Sequence, residues 1–560
     1  MLFVSFRAYQ PDTERNELLM KLIVRSLDAN HYNPYDLDDG FSERVFDLYL
    51  ERLDYDKRYF TKADIAEMAA YKTEIDDQVE VSDYTFFNQS HELLALRMRE
   101  AMGYYKEILS ESFDFEKDEE YVFDAEERDW AANTNEIRER WRQMLKYQVL
   151  SRLVDKLEAQ EEDQEKDQLE GDPKTVAELE EEVREKVMDT YSDWEKRLEK
   201  QDINDRRAIY FNSIANTYDP HTSYYPPKDK ENFDIQMSGR LEGIGASLQE
   251  KNGYIKVARI VPGSPSYRQG ELEEEDVILK VAQAKDEPVD VVDMRLDDAV
   301  QLIRGKKGTE VRLTVKKEDG NVKVIPIVRD VVILEETYAK SAVMETPEAR
   351  GKVGNIRLPK FYADFQRKGG RSCADDVAKE IKKLKAENVD GIVLDLRNNG
   401  GGSLMDVVKM VGLFIPEGPI VQVKTRYGAP RVLSDTDSRV QWDGPLVVLV
   451  NSSSASASEI MAAAIQDYKR GIVAGTPTFG KGTVQQFYML DNLISGGDDL
   501  KPLGGIKLTT QKFYRINGDA TQLKGVNPDV VLPDPYTLID RGERKQAYGL
   551  KRDESTPAEY

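Results

Sequence analysis

The sequence predicts a multidomain α+β protein with a helical N-terminal region, a compact β-rich module and a mixed α/β core. Three observations carry this. Up to about residue 215, apolar residues recur at three- and four-residue spacing, as on one face of a helix. From about 232 to 330, short alternating runs are separated by Gly and Pro turns. Beyond 331, apolar strand-like runs alternate with helical segments, the β-α-β order of a largely parallel sheet. A chain of 560 residues is long enough for three or four domains.

Taken in order, Leu18, Leu19, Leu22, Ile23 and Leu27 share one helical face, and Phe41 to Leu53 repeats the pattern. Thr61 is a candidate N-cap. His91 to Leu109, Glu136 to Leu157 and Val176 to Lys200 are further amphipathic segments. Gln160 to Gly171 is dense in charge and reads as a solvated linker or exposed helix end. The region, residues 1–215, has no catalytic constellation and reads as a domain that packs on or cages the remainder of the chain. Asp219-Pro-His-Thr-Ser-Tyr224 comes next, and a lone His221 beside a proline turn reads as structural.

In the module at 232–330, Tyr254 to Val261 alternates as a strand and Asp276 to Val281 is a second. Arg295 to Arg304 is a helix, and Val311 to Val315 with Val322 to Val328 closes the sheet. This order resembles a PDZ domain, and the resemblance makes Gly243, Ile244, Gly245 and Ala246 its carboxylate-binding loop. Glycines there let successive N–H groups converge on a chain-terminal carboxylate. The strand from Ala246 offers an edge to which a peptide can add. Leu296, Ala299, Val300, Leu302 and Ile303 are candidates for the pocket of the terminal side chain.

The core at 331–535 holds a strand from Gly354 to Leu358, a helix from Ala374 to Glu387 and a buried strand from Val389 to Arg397. Asn398-Asn-Gly-Gly-Gly402 is a sharp loop at the start of the next helix, Ser403 to Phe414. Pro445 to Val450 is another buried strand, followed by Asn451-Ser-Ser-Ser-Ala-Ser-Ala-Ser458 and an Ala-rich helix to Arg470, stopped by Gly471. The serines thus occupy a strand-to-helix turn, where free N–H groups and the helix dipole favour negative charge. That suits a nucleophile beside an oxyanion hole. A serine nucleophile needs a base. The three histidines are His31, His91 and His221, all more than 200 residues from the turn. Lys481 is nearer, after the apolar run Gly471 to Gly475. Burial lowers a lysine's pKa, so its amine can accept a serine proton near neutral pH. On the residues alone, Ser452, Ser453, Ser454, Ser456 and Ser458 remain equivalent candidates.

Ser454-Ala-Ser-Ala-Ser-Glu459 followed by Thr478-Phe-Gly-Lys-Gly-Thr-Val-Gln485 resembles the signature of the C-terminal processing, or tail-specific, proteases. The resemblance selects Ser456 as nucleophile, Lys481 as base and Gln485 as the third member. It implies an oxyanion hole from the N–H groups of Ala457 and of Gly401 or Gly402, a crotonase-like protease core, and no metal or cofactor. It also implies export to the periplasm or cell envelope, and protein or peptide substrates with unstructured apolar C-termini. Two other classes compete. A catalytically silent PDZ scaffold would bind tails without cutting them. Gly475-Thr-Pro-Thr-Phe-Gly480-Lys481 also approaches a phosphate-binding loop, but Gly482 stands where that motif needs Ser or Thr, and Pro477 removes an N–H.

The formal charge of −25 and pI of about 4.8 argue against nucleic acid and anionic membrane as partners. One cysteine, Cys373, excludes an intrachain disulfide and a cysteine metal cluster. Met1 to Phe6 lacks the basic region of a signal peptide, and no apolar run approaches the length of a membrane span. Ser434 to Ser438 lacks the ligand set and glycine of a calcium loop and reads as a surface turn. Residues 536–560 read as a C-terminal extension with no obvious finish, so truncation at either terminus is an open expectation.

Overall fold

The computed structural model describes residues 11–560 other than 167, 169, 170, 346–350, 366, 368, 538 and 540. Met1 to Phe6 and part of the charged stretch at 160–171 lie outside them. The chain separates into two compact units, one of residues through Val24 with Asp36–Thr217, the other of Arg25–Tyr35 with Tyr218–Tyr560.

The first unit is helical. Its periodic segments form Asp39–Leu53, Thr85–Ile108, Thr134–Glu165 and Val176–Glu199. Thr61 caps Lys62–Met68 in a reciprocal pair with Asp64, and Thr175 does the same with Glu178. Thr134–Glu165 runs well past the end that periodicity suggested. Its last turns are exposed and charged, so the apolar stripe that marks a buried helix is missing there. Tyr49, Phe86, Phe87 and Tyr210 are fully buried and pack edge-on or tilted, with Tyr49 and Tyr210 centroids 5.1 Å apart.

The second unit contains three sheets of functional interest. The parallel sheet runs in the order 352–357, 391–395, 446–450, 472–475 and 530–531, with Lys340–Glu345 added antiparallel at one edge. Helices Cys373–Ala386 and Ala457–Asp467 pack on it, and Leu404–Val411 packs against both helices in the same apolar core. A second, antiparallel sheet pairs Gly505–Tyr514 with Ser223–Tyr225, Gly418–Thr425 and Thr483–Met489. The third is the β-rich module, in the order 246–251, 254–260, 277–283, 310–316 and 322–328. Arg240–Gly243 pairs with Asp330–Ile333 and joins the module's entrance to its exit.

One expectation needs correction. Helix Ala457–Asp467 is not stopped by Gly471. Lys469 takes the left-handed turn at φ +50, and Arg470 N–H bonds back to Ile465 C=O at 2.9 Å. Gly471 is there because a side chain would meet Leu446 C=O at 2.6 Å. The stretch from 541 to 560, read as a C-terminal extension, packs on the core. Lys512 Nζ bonds Lys551 C=O, Tyr514 bonds Asp553, and Ala558 N–H bonds Ile516 C=O.

Candidate active site

Strand Leu446–Val450 lies between Gly391–Asp395 and Ile472–Gly475, all three parallel. Parallel strands deliver their following loops to one edge of a sheet, which is where α/β folds place sites. The serine turn and the loop from Asn398 to Gly402 therefore meet. Asn451 and Asn398 tie them: Asn398 N–H donates to Asn451 Oδ1 and Asn451 Nδ2 to Asn398 Oδ1, each at 2.9 Å.

The fold separates the five serines that were equivalent in sequence. Ser454 Oγ donates to Leu396 C=O and Ser458 Oγ to Asn399 C=O, each at 2.8 Å, so both fasten the turn to the loop. Ser452 Oγ is buried without a partner, and Ser453 uses its N–H on Asn451. Ser456 alone of the five has left-handed backbone, at φ +56 and ψ −112. Such a conformation in a non-glycine residue costs about 1–3 kcal/mol and persists only where its surroundings impose it. Here the imposing group is Glu459, whose Oε2 accepts the Ser456 N–H at 2.7 Å.

Glu459 was not singled out in the sequence, yet it joins the two halves of the site. Its fully buried carboxylate also accepts from Thr478 Oγ1 at 2.7 Å, Gly480 N–H at 2.7 Å and Lys481 N–H at 2.9 Å. The loop N–H groups that suggested a phosphate site thus hold this carboxylate, and the nucleotide reading loses its anion pocket. Burial raises the Glu459 pKa to about 7, against the pull of its four donors. Its spacing, three residues after Ser456, is that of a capping box, which was the one available signal.

Lys481 is partly exposed at the residue level. Burial of its amine, reinforced by the nearby Lys507 ammonium, lowers its pKa to about 8. The carboxylates of Glu543, Asp219 and Glu459 act the other way. A fraction of the amine is therefore neutral at ordinary pH.

Gln485 lies on strand Thr483–Met489, opposite Thr509. Its Nε2 donates to Thr483 Oγ1 at 3.0 Å and to Thr509 Oγ1 at 2.9 Å. The Asp219-to-Thr222 turn packs against this strand pair. Thr509 Oγ1 donates to Asp219 Oδ1 at 3.0 Å, and His31 Nε2 meets Asp219 Oδ2 at 2.7 Å. His221, read as structural, bonds buried Glu543 at 2.7 Å. The other Glu543 oxygen accepts from Gln522, whose own oxygen accepts the Gly482 N–H at 2.7 Å. Burial first, then the Lys481 charge, lowers the His221 pKa. His221 thus stands within the electrostatic reach of Lys481, which sequence distance hid.

Of the oxyanion candidates, Ala457 is the first residue of its helix, beside Ser456. Gly401 lies so close that a side chain there would meet Ser456 Cβ at 2.8 Å and Ala457 N at 3.1 Å. The Gly401 N–H, however, donates to Asn399 Oδ1 at 2.9 Å. The Gly401 carbonyl accepts from Phe361 N–H, which turns the adjoining Gly402 N–H to the opposite side of that peptide. Gly402 is the better donor of the two.

In the β-rich module, Ala246–Lys251 is an edge strand facing helix Leu296–Ile303. Between them is a cavity of about 320 Å³ lined by Ile244, Gly245, Ala246, Leu248, Val300 and Ile303, among others. Of the five helix residues proposed for the pocket, Val300 and Ile303 line it, while Ala299 is fully buried in the module's core. The carbonyls of Ile244 and Gly245 accept from Ser266 N–H and Val261 N–H, each at 2.9 Å. In trans peptides that turns the N–H groups of Gly245 and Ala246 the other way. Gly243 instead pairs with Asp330 in a strand.

Comparison with known proteins matches residues 23–228 to the tail specific protease N-terminal domain, 233–316 to the PDZ domain and 352–532 to peptidase family S41. The tail-specific protease of Haemophilus influenzae is 35% identical over 552 residues, 98% of this chain and 74% of that protein. The carboxy-terminal processing protease CtpA of Bacillus subtilis is 33% identical over 59% of this chain and 65% of its own. Among solved structures, a PDZ domain of a carboxy-terminal protease from Vibrio cholerae in complex with peptide is 44% identical. It covers 17% of this chain and 97% of its own, with a TM-score of 0.16.

Proposed function

The chain belongs to the C-terminal processing (tail-specific) proteases, serine-type peptidases of family S41, and from that premise we propose that it cuts proteins by a Ser456–Lys481 acyl-enzyme mechanism after its PDZ domain has captured their C-termini. The observation that carries the mechanism is Glu459. One buried carboxylate holds the backbone of the strained Ser456 and that of Lys481, so nucleophile and base are positioned by a single group.

The neutral Lys481 amine takes the Ser456 hydroxyl proton as Oγ attacks the scissile carbonyl. Gln485 orients the amine. The oxyanion is held by the N–H groups of Ala457 and Gly402, each such donor contributing about 10²–10³ in rate. The Lys481 ammonium then protonates the departing amine. Water attacks the acyl-enzyme with Lys481 again as base, restoring Ser456. In the PDZ groove the Gly245 and Ala246 N–H groups receive the terminal carboxylate, strand Ala246–Lys251 pairs with the tail, and Val300 and Ile303 take an apolar side chain. The substrate is accordingly an unstructured, apolar C-terminal segment. No described helix is long and apolar enough to cross a membrane, and the relatives support a periplasmic or envelope location.

The test is digestion of a model protein bearing an unstructured apolar tail by the parent chain, Ser456→Ala and Lys481→Ala, with fragments read by mass spectrometry. Cleavage by the parent alone is expected. Cleavage persisting in both variants would overturn the assignment.

A further inference from the structure

Asp219 is 1% exposed, as is His31, and Thr509 is fully buried. Every hydrogen bond around this carboxylate points inward. His31 Nδ1 accepts from Asn33 N–H at 3.2 Å, so His31 Nε2 carries the proton it shares with Asp219 Oδ2. Thr222 Oγ1 donates to Oδ2 at 2.5 Å, and His221 N–H donates to Oδ1 at 2.8 Å. Burial opposes its charge, but the hydrogen bonds from His31 and Thr222 hold its pKa below the usual carboxylate range. Asp219 is therefore a carboxylate, which can only accept.

That restriction propagates. Thr509 has one hydroxyl proton, and Asp219 Oδ1 takes it. The lone pairs of Thr509 Oγ1 then remain to accept, so the group facing it must be the NH₂ of Gln485 rather than its oxygen. The second N–H of that NH₂ goes to Thr483 Oγ1. Both amide protons are committed, and the carbonyl Oε1 is left to accept.

We propose that Asp219 is a positioning residue for the reaction: by accepting only, it sets the direction of the hydrogen bonds from Thr509 and Gln485, and so presents the Gln485 carbonyl rather than its NH₂ to Lys481. This rests on reading Gln485 as the partner of Lys481. A reversed amide would aim an N–H at the amine lone pair that must receive the Ser456 proton. The effect falls on turnover, because the relay ends on the base and not on the groove that binds the tail.

The experiment measures kcat and KM on the tailed model protein for Asp219→Asn, Thr509→Val, Thr509→Ser and Gln485→Ala, and for Asp219→Asn and Thr509→Val in the Gln485→Ala background. Asp219→Asn and Thr509→Val are expected to lower kcat about tenfold to a hundredfold, with KM within about twofold, as misplacement of a catalytic group does. Thr509→Ser keeps the hydroxyl and is expected to retain most of kcat. In the Gln485→Ala background both substitutions should cost nothing further, since the group they position is gone. Thr509→Val is close to isosteric and serves where Asp219→Asn fails to fold. If either substitution costs the same factor with and without Gln485, or Thr509→Ser falls as far as Thr509→Val, the relay is wrong and the Ser456–Lys481 site stands. If Gln485→Ala is itself as active as the parent, the role of Gln485 fails and the relay with it.

Discussion

The PDZ groove and the catalytic turn both present backbone N–H groups at a glycine-containing bend, yet they are built in opposite ways. The groove is apolar, lined by residues such as Ile244, Ala246, Leu248, Val300 and Ile303. Its donors are aimed by two carbonyls tied back into the module. The catalytic site is crowded with charge: Glu459, Asp219 and Glu543 are almost wholly buried, with Lys481, Lys507 and His221 around them. Recognition of a tail needs shape and an edge, and solvent supplies the rest. Proton transfer needs each lone pair and proton assigned in advance, because buried charges left unpaired are costly.

The largest effects that would break this contrast lie at the dyad. Ser456→Ala or Lys481→Ala is expected to lower kcat by about 10⁴ or more while tail binding persists. Equal loss of tail binding, read by peptide titration, would mean that the two regions are not separable. Next comes Glu459→Gln. A glutamine cannot accept four donors with one oxygen, and its NH₂ faces N–H groups, so kcat should fall about a hundredfold with the chain still folded by circular dichroism. Parental activity in Glu459→Gln would remove the link between nucleophile and base.

The pH profile sharpens the same point. In the proposed mechanism Lys481 acts as a neutral amine, so activity is expected to rise with pH up to about 8. Glu459 accepts its four donors as a carboxylate, so below about 7 its protonation adds a second loss in the same direction. The acid limb of kcat/KM is expected to steepen below about 7, and Glu459→Gln should remove that steepening. A flat profile from acid to alkaline would sink the lysine base. The smallest effect is at the groove. Val300→Asp places a carboxylate beside the one to be bound and should raise KM for tailed substrates about tenfold, or 1.4 kcal/mol, with kcat little changed. A fall in kcat instead would show that the groove acts on chemistry.

How much was legible divides along the same line. The strand before the serines, the start of the helix after them and the cap at Thr61 are local patterns, and they stand where periodicity and capping place them. Ser456, Lys481 and Gln485 were reached through a resemblance carried by spacing. Glu459 left only a three-residue spacing that any capped helix shows. His31, His221, Thr509 and Glu543 left no signal, because partners 188, 322 and 290 positions apart have no sequence pattern in common. The sequence by itself determined most of the secondary structure, the order of the modules and the turn that carries the serines, because side-chain periodicity and turn chemistry act over a few residues. Only the tertiary structure decided which serine is strained, which glycine N–H remains to donate and which carboxylates surround Lys481. Those properties arise from burial and from hydrogen bonds between distant segments, which exist only once the chain has closed around them.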